Sequence, residues 1–228
     1  MTPFSPTVSK LPDTFPIFPL TGALLLPHGR LPLNIFEPRY KAMTEDALGA
    51  GRLFGMIQPD TSRPDSETGP SLYRVGCLGR LSSFSETDDG RYLITLTGVT
   101  RFAVTEEVAT RRGYRRVRAD FGPFARDLEP LERQSSSFDR ARMVDALNAY
   151  FAHRGFEPNW DAIGEMPDHA LVVTLSMVCP FEPAAKQALL EAPTVAERAQ
   201  VLLTVLQIDT HAPQTDAAAP ELDRRRVS

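Results

Sequence analysis

The chain has 228 residues, a formal net charge of −4 and a pI near 5.6, so its overall charge gives no reason to expect phosphate-dominated binding. Apolar and charged fractions of 42% and 24% are typical of a globular protein. No apolar run approaches the roughly 20 residues that cross a bilayer, and the N-terminus lacks the cationic start and apolar stretch of a secretory signal. We therefore expect a cytoplasmic protein with no membrane partner.

Two cysteines, Cys77 and Cys179, stand roughly a hundred residues apart in the sequence. One disulfide between them is arithmetically possible. Two buried thiols in a reducing cytosol fit better, because structural disulfides are rare in intracellular proteins.

The first half of the chain predicts a small β-barrel, over 14–124, preceded by a Pro/Ser/Thr-rich loose arm at 1–13. Strands are predicted at 15–20, 31–35, 53–58, 72–84, 92–97, 100–108 and 114–121. Pro16 and Pro19 suit an edge position or a bulge, because proline cannot donate to a ladder. Pro38 begins the one helix of this half. Several strands with internal glycines indicate a closed or nearly closed barrel.

The pattern changes after residue 125, where helical periodicity replaces alternation. Helices are predicted at 138–153, 169–179, 184–191 and 195–208. The last begins with a capping box formed by Thr194 and Glu197. We therefore predict an α+β fold in which the barrel is followed by a helical bundle at 125–208 and a solvated tail at 209–228.

The most distinctive segment of the sequence is the apolar run at 15–20 followed by Leu33-Asn34-Ile35-Phe36-Glu37-Pro38-Arg39-Tyr40. It carries no nucleophile, no metal-ligand pair and no phosphate loop. This pattern favours a binding module over an enzyme.

The usual catalytic and cofactor motifs are missing from the sequence. The three lysines, Lys10, Lys41 and Lys186, follow no phosphate-loop glycine pattern and suggest no Ser–Lys dyad. Gly49, Gly51 and Gly55 have the wrong spacing for a dinucleotide loop and follow a helix instead of opening one. The four histidines are scattered. We expect no catalytic residue, no cofactor and no metal.

Several fragments of the sequence resemble the N-terminal substrate-binding domain of the ATP-dependent protease Lon, in its stand-alone bacterial form. The fragments are Phe18-Pro19-Leu20, Leu26-Pro27, Leu31-Pro32-Leu33, Ile35-Phe36-Glu37-Pro38-Arg39-Tyr40, Phe54-Gly55, Val75-Gly76, Asp89-Gly90-Arg91, Gly98-Val99-Thr100-Arg101-Phe102, Lys186-Gln187-Ala188-Leu189-Leu190-Glu191 and Glu197-Arg198. Together they cover roughly residues 13–208. The Ile35–Tyr40 fragment together with the later Gly-x-x-Arg-Phe of residues 98–102 is the most specific pair.

The resemblance implies a small barrel akin to the PUA type followed by a helical bundle, in agreement with the periodicity. Full-length Lon adds an ATPase module and a Ser–Lys peptidase module. We expect this chain to stop before either, which implies a non-enzymatic, proteolysis-related module that binds unfolded proteins or specific protein partners.

The candidate peptide-binding residues are Phe36, Glu37, Arg39, Tyr40 and Arg101. In a purely structural interpretation, Phe36 and Tyr40 pack under the barrel, while Glu37 and Arg39 pair with each other or with Arg101. Burying Phe36 would then stabilise the fold by roughly 1.5–3 kcal/mol. In the functional interpretation, part of this cluster lines a peptide groove at the barrel edge or between barrel and bundle.

A basic run offers an alternative, RNA-binding interpretation. Its residues are Arg111, Arg112, Tyr114, Arg115, Arg116 and Arg118. A strand alternates its faces, so these arginines split between two sides, and the acidic residues Glu106, Glu107 and Asp120 lie close in sequence. A solvated strand edge, charged to deter sheet pairing, therefore explains the run better than a nucleic-acid partner does. A small-molecule site in the barrel mouth is a third hypothesis.

Overall fold

The computed structural model describes residues 6–129 and 137–211 of the chain. The strands are β1 (Thr14–Pro19), β2 (Arg30–Ile35), β3 (Leu53–Ile57), β4 (Val75–Glu86), β5 (Tyr92–Arg111) and β6 (Tyr114–Asp120). The helices are α1 (Pro38–Gly49), α2 (Arg140–Arg154), α3 (Trp160–Glu165), α4 (Asp168–Val178), α5 (Pro183–Glu191) and α6 (Val195–His211), with short 3-10 helices at Val8–Lys10 and Gly122–Leu128. The predicted α+β class, strands first and helices afterwards, is confirmed.

The six strands form one sheet with the order β2-β5-β4-β3-β1-β6. An additional pairing between β5 and β6 closes five of these strands into a ring, and β2 extends the sheet beyond that ring along β5. β1 and β3 run parallel, and the other neighbours are antiparallel. The closed barrel expected from the glycine-rich strands is therefore present, with β2 as an outer strand.

β1 accommodates its two prolines by changing partner along its length. Thr14–Pro16 pairs with β6, whereas Ile17–Pro19 pairs with β3. Each half of the strand thus has a registered neighbour on one side, and a residue without an N–H can be placed at little loss of hydrogen bonding. The expected edge-like environment for Pro16 and Pro19 arises from this exchange, inside a closed sheet.

β5 is a single strand where the sequence predicts two, at 92–97 and 100–108. Gly98 lies between the two predicted strands and within the observed one, and a Cβ at that position would overlap the carbonyl oxygen of Leu26. The first half of β5 pairs with β2 and the second half with β6, while β4 follows it along both halves. Glycine at 98 therefore serves close backbone approach and not a turn.

The two chain ends also differ from expectation where they are described. Residues 6–13 include the Val8–Lys10 helix and the buried Leu11, so they pack on the barrel and do not form a loose arm. Helix α6 continues to His211, which places the first three residues of the predicted tail in a helix. Residues 1–5 and 212–228 lie outside the described residues.

The second half is a bundle of five described helices, one more than predicted, because the short α3 was missed. Asp139 and Asn159 cap α2 and α3 through their side chains. Thr194 and Glu197 form the expected capping box, in which the Glu197 N–H donates to Thr194 Oγ1 at 3.2 Å and the Thr194 N–H donates to Glu197 Oε2 at 3.1 Å.

Two clusters of buried side chains hold the fold together. The smaller fills the barrel interior and includes Phe15, Phe102 and Val117. The larger runs from barrel residues such as Leu25 to bundle residues such as Leu206, so the predicted boundary at 124/125 marks a change of secondary structure within continuous packing.

The two cysteines, Cys77 and Cys179, are free and buried, as predicted. Burial raises the pKa of both thiols, that of Cys179 to about 12. Within 6–129 and 137–211, no helix combines the length and the apolar character that crossing a membrane requires.

Candidate functional site

The outer face of the sheet, formed where β2, β5 and β4 lie side by side, is the main candidate surface. Burial alternates along β2, with Arg30, Pro32 and Asn34 exposed, and the exposed Phe36 follows just beyond the strand. Asn34 pairs with Leu93 of β5, which in turn pairs with Ser85 of β4. We call this surface the outer face; its residues are Pro32, Asn34, Phe36, Ser83, Ser85, Leu93 and Thr95.

The outer face carries a shallow groove with exposed apolar side chains. The groove has a volume of about 410 Å³ and is lined by Pro32, Asn34, Ser83, Ser85, Leu93 and Thr95, among others. Leu93, which lines the groove, is 47% exposed, and Phe36, which follows β2 outside the groove lining, is 64% exposed. Large apolar side chains at a groove with small polar neighbours are typical of surfaces that bind other polypeptides.

The expected burial of Phe36 is therefore wrong. The alternation that buries Ile35 turns the next side chain outwards, and the chain then enters α1 at Pro38. Because Phe36 contributes little to the core, its removal is expected to leave the fold intact.

The rest of the motif divides between surface and core. Arg39 and Glu37 form an exposed ion pair with a distance of 2.9 Å between Nη2 and Oε2, as the structural interpretation expects. Tyr40 is buried, with its ring centroid 4.2 Å from that of Phe18, and burial raises its pKa. The Arg39 guanidinium lies 4.6 Å from the Tyr40 ring centroid. Tyr40 therefore supports the cluster from below, while Glu37 and Arg39 face solvent.

Arg101 lies apart from this cluster, in the seam between barrel and bundle, where it is 3% exposed. Its Nε and Nη2 donate to the two carboxylate oxygens of Asp127 at 2.9 and 2.8 Å. Its remaining donors reach the carbonyl oxygens of Leu190, Ala192 and Pro193 at 3.2, 2.6 and 3.0 Å. All five N–H groups of the guanidinium are thus satisfied.

This arrangement makes Arg101 a structural link. It does not pair with Glu37 or Arg39, and its full set of internal partners leaves no donor for a bound peptide. Asp127, which lies in the Gly122–Leu128 helix, is the partner that the sequence did not reveal, because only the folded seam brings it to β5.

Other polar groups reinforce the seam. Arg198 donates to the carbonyl oxygens of Leu189 and Ala192 at 2.7 and 3.1 Å, and burial together with the nearby Arg101 lowers its pKa to about 10. Gln187 of α5 donates to the carbonyl oxygen of Val75 in β4 at 3.1 Å. The bundle is thus held on the barrel by hydrogen bonds as well as by the shared core.

The basic segment is not a strand edge, which corrects that prediction. β6 pairs with β1 on one side and with β5 on the other, because β5 curves back to close the barrel. Most of the segment's arginines have carboxylate partners. The ion pairs are Arg111–Asp46, Arg112–Glu45, Arg112–Asp46, Arg115–Glu107 and Arg118–Glu106.

These pairings leave little of the segment for phosphate. Arg115 is buried, and its Nη1 also donates to the carbonyl oxygen of Pro70 at 2.7 Å. Tyr114 is buried and donates its hydroxyl to Asp46 Oδ2 at 2.7 Å. Arg116 is half-buried and shows no ion pair among the described residues. An RNA-binding surface would need several accessible positive charges on one side, and this arrangement does not provide them.

The bonds to Asp46 and Glu45 fix α1 to the β5–β6 hairpin. Hydrogen bonds from Tyr114 and Arg112 hold the pKa of Asp46 below its usual range, and bonds from Arg112 and Tyr92 do the same for Glu45. Burial and the bond to Asp46 raise the pKa of Tyr114 to about 12. The basic run thus anchors the helix that follows the outer face.

The sequence missed Leu93, Asn34 and the serines of the groove. No local sequence pattern identifies these residues, because they become neighbours only through the registers of three strands. Within the described ranges, no group of three or more histidine, cysteine, aspartate or glutamate side chains is arranged to hold a metal ion.

Comparison with known proteins shows the family to which the chain belongs. The model of the ATP-dependent protease La (LON) substrate-binding domain matches residues 14–207. Lon protease 2 of Sorangium cellulosum is 33% identical over 131 residues, which are 56% of this chain and 16% of that protein. Lon protease of Azorhizobium caulinodans is 26% identical over 206 residues, 89% of this chain and 23% of that protein. The chain therefore spans less than a quarter of the length of these relatives.

Solved structures agree in fold. A Lon N-terminal domain protein from Xanthomonas campestris superimposes with a TM-score of 0.58 at 21% identity, covering 84% of this chain and 97% of that one. The N-terminal domain of Mycobacterium avium complex Lon protease gives a TM-score of 0.59 at 16% identity, with 85% and 98% covered. The resemblance seen in the sequence is confirmed, and the chain belongs to the family of the ATP-dependent protease La (LON) substrate-binding domain.

Proposed function

We propose that this chain is a non-catalytic module that binds exposed apolar segments of unfolded or partner polypeptides through the outer face. The observation that carries the proposal is the groove between β2, β5 and β4, which the exposed Leu93 lines, together with the exposed Phe36 that follows β2. The family's description as a substrate-binding domain supports it.

The groove suits an extended segment lying across the strands. Side chains of the segment would pack on Phe36 and Leu93, while the hydroxyl and amide groups around them would bond its backbone. The exposed Glu37 and Arg39 lie beside Phe36 and offer one charge of each sign at the rim. A polar rim of this kind selects partners more than it strengthens binding.

The outer strand also limits how a segment can bind. Among the described residues β2 pairs with β5 alone, so its other side is open to strand addition. Pro32 in the middle of β2 has no N–H, which interrupts a continuous ladder with an added strand. Binding is therefore expected to rely on side-chain contacts and to be readily reversible.

The test is binding of a fluorescently labelled, permanently unfolded polypeptide, followed by anisotropy, to the native chain and to Phe36→Ala. Losing the buried area of a phenylalanine at the contact should weaken binding about tenfold, since full burial of such a side chain is worth roughly 1.5–3 kcal/mol. Leu93→Ala should weaken it to a similar or smaller extent.

Phe156→Ala is the matched control, because Phe156 is also a largely exposed phenylalanine but lies in the bundle, just after α2. Equal binding by Phe36→Ala and the native chain, or an equal loss in Phe156→Ala, would argue against the outer face as the binding surface.

A further inference from the structure

A second cleft lies between the barrel and α4, and it shares no lining residue with the groove of the outer face, although Arg30 lies on the same side of β2 as Pro32 and Asn34. Barrel residues His28, Gly29 and Arg30 form one wall. The other wall consists of the α4 residues His169, Ala170, Val173, Thr174, Met177 and Val178. Its volume is about 290 Å³, near the lower limit of the roughly 300–1,000 Å³ found for ligand sites. A cleft of this size has room for the end of a chain and not for a long segment.

Close backbone contacts build the wall of this cleft. A Cβ on Gly29 would overlap Met177 Sδ, so a larger residue at this position would require the Met177 side chain to move. The His28 N–H donates to the carbonyl oxygen of Gly98 at 3.0 Å, and the Gly29 N–H donates to that of Leu26 at 2.9 Å. Both backbone donors are therefore engaged, and recognition within the cleft depends on side chains.

His28 holds this position in a backbone conformation that disfavours it. Its φ is 65°, in the left-handed region where glycine is the usual residue. A histidine there is strained relative to a residue in an ordinary backbone conformation. Residues held in such conformations cluster at binding sites, and the imidazole of His28 is exposed at the cleft.

The chemistry of the cleft is apolar on one wall and basic on the other. Val173 and Met177 of α4 give an apolar wall, extended by Val178, which is 74% exposed. Arg30 is exposed and has no ion-pair partner among the described residues. No carboxylate from residues 6–129 or 137–211 lines the cleft, and Asp168, next to His169, is already bonded to Arg140 at 2.7 Å. In the part of the chain that the structure describes, the site therefore combines an apolar surface with a positive charge that no carboxylate offsets.

We infer that this cleft receives the C-terminal residue of a partner polypeptide, with an apolar side chain against α4 and the α-carboxylate at Arg30. The residue's own chemistry matches both walls, because a chain end joins an apolar side chain and a full negative charge on one carbon. The inference rests on the proposed polypeptide-binding function but uses a different set of residues.

The experiment measures anisotropy with labelled hexapeptides ending in Leu, Val, Met or Phe, each prepared as the free acid and as the C-terminal amide. We expect at least one free acid to bind tenfold or more tightly than its amide. Arg30→Gln should abolish that difference. Val178→Asp, which places a negative charge on the apolar wall of the same cleft, should weaken binding of the free acid at least fivefold.

Two variants serve as controls. Arg63→Gln removes an exposed arginine outside the cleft and should leave the preference for the free acid unchanged. Phe36→Ala should also leave it unchanged, so that failure of the outer face and failure of this cleft give different results. Equal binding of acid and amide for all four peptides, absence of binding, or a preference that survives Arg30→Gln would overturn the inference.

Discussion

The seam between barrel and bundle and the outer face of the sheet use the same residue types in opposite ways. In the seam, Arg101 is buried against Asp127 with every donor satisfied. On the outer face, Arg39 pairs with Glu37 in solvent. A buried pair becomes costly to the fold when one partner is lost, whereas an exposed pair contributes little. The comparison indicates which distinctive residues hold the protein together and which remain free to meet a partner.

The largest expected effect follows from Arg101→Ala. It leaves Asp127 buried without its counter-charge and removes one donor from each of three carbonyl oxygens. The free energy of unfolding, measured by urea denaturation, should fall by about 3–5 kcal/mol. Arg39→Ala is the matched control and should change it by at most about 1 kcal/mol, because both side chains of its pair are well exposed. Similar values for the two variants would remove the distinction between seam and face.

The bond between Tyr114 and Asp46 should give an intermediate effect with a defined pH dependence. Tyr114→Phe removes a hydroxyl that donates to a carboxylate, and should destabilise the fold by about 1.5 kcal/mol near pH 7. The bond holds the pKa of Asp46 below its usual range, so its stabilisation is present above the ordinary aspartate range and is lost as the pH falls. Burial and the bond raise the pKa of Tyr114 from 10.0 to about 12, so stability is also lost as the pH rises through that interval.

Urea denaturation at several pH values tests this expectation. The native chain should exceed Tyr114→Phe in free energy of unfolding near pH 7. This difference should shrink below about pH 4 and above about pH 10. A difference that stays constant from acid to alkaline pH would show that this bond does not stabilise α1 on the hairpin.

The capping box at the start of α6 should give a smaller effect. Thr194→Ala removes the oxygen that accepts from the Glu197 N–H and should cost about 1 kcal/mol in thermal or urea unfolding. Thr204→Ala, an exposed position inside the same helix, is the control and should be neutral or slightly stabilising, because alanine has the higher helix propensity. Equal losses at the two positions would assign the effect to threonine packing and not to the cap.

The smallest expected change in stability is that of Phe36→Ala. Because Phe36 is largely exposed, its loss should alter the free energy of unfolding by less than about 0.5 kcal/mol. Phe102→Ala in the barrel core, where the ring is fully buried, should cost about 3–5 kcal/mol. A large loss in Phe36→Ala would mean that the outer face serves the fold and not a partner.

Local signals in the sequence predicted most of the elements. Such signals act within a few residues and can therefore be recognised from the sequence alone. They include the prolines at the start of α1 and α5, the glycines within β4 and the Thr194 capping box. The prediction of two strands in place of β5 was wrong, because glycine at position 98 allows close approach of the Leu26 backbone, which lies far away in the sequence.

The candidate site was less predictable because its parts come from several strands. The motif around Phe36 and Arg39 was recognised from its local sequence, but the outward orientation of Phe36 depends on how β2 pairs. Leu93 becomes part of the groove only through its register with Asn34. The role of Arg101 depends on Asp127, whose position requires both the 3-10 helix and the bundle to be in place.

The exchange of partners along β1 has a consequence for folding. Thr14 pairs with Arg118, roughly a hundred residues later in the chain, so the ring cannot close until β6 has formed. At about 5–20 residues per second, ribosomal synthesis leaves the first half of β1 without this partner for on the order of ten seconds. Such long-range closure slows folding and exposes an apolar strand to other nascent chains. Pro16 and Pro19, which cannot donate to a foreign ladder, make β1 a poor template for aggregation during that interval.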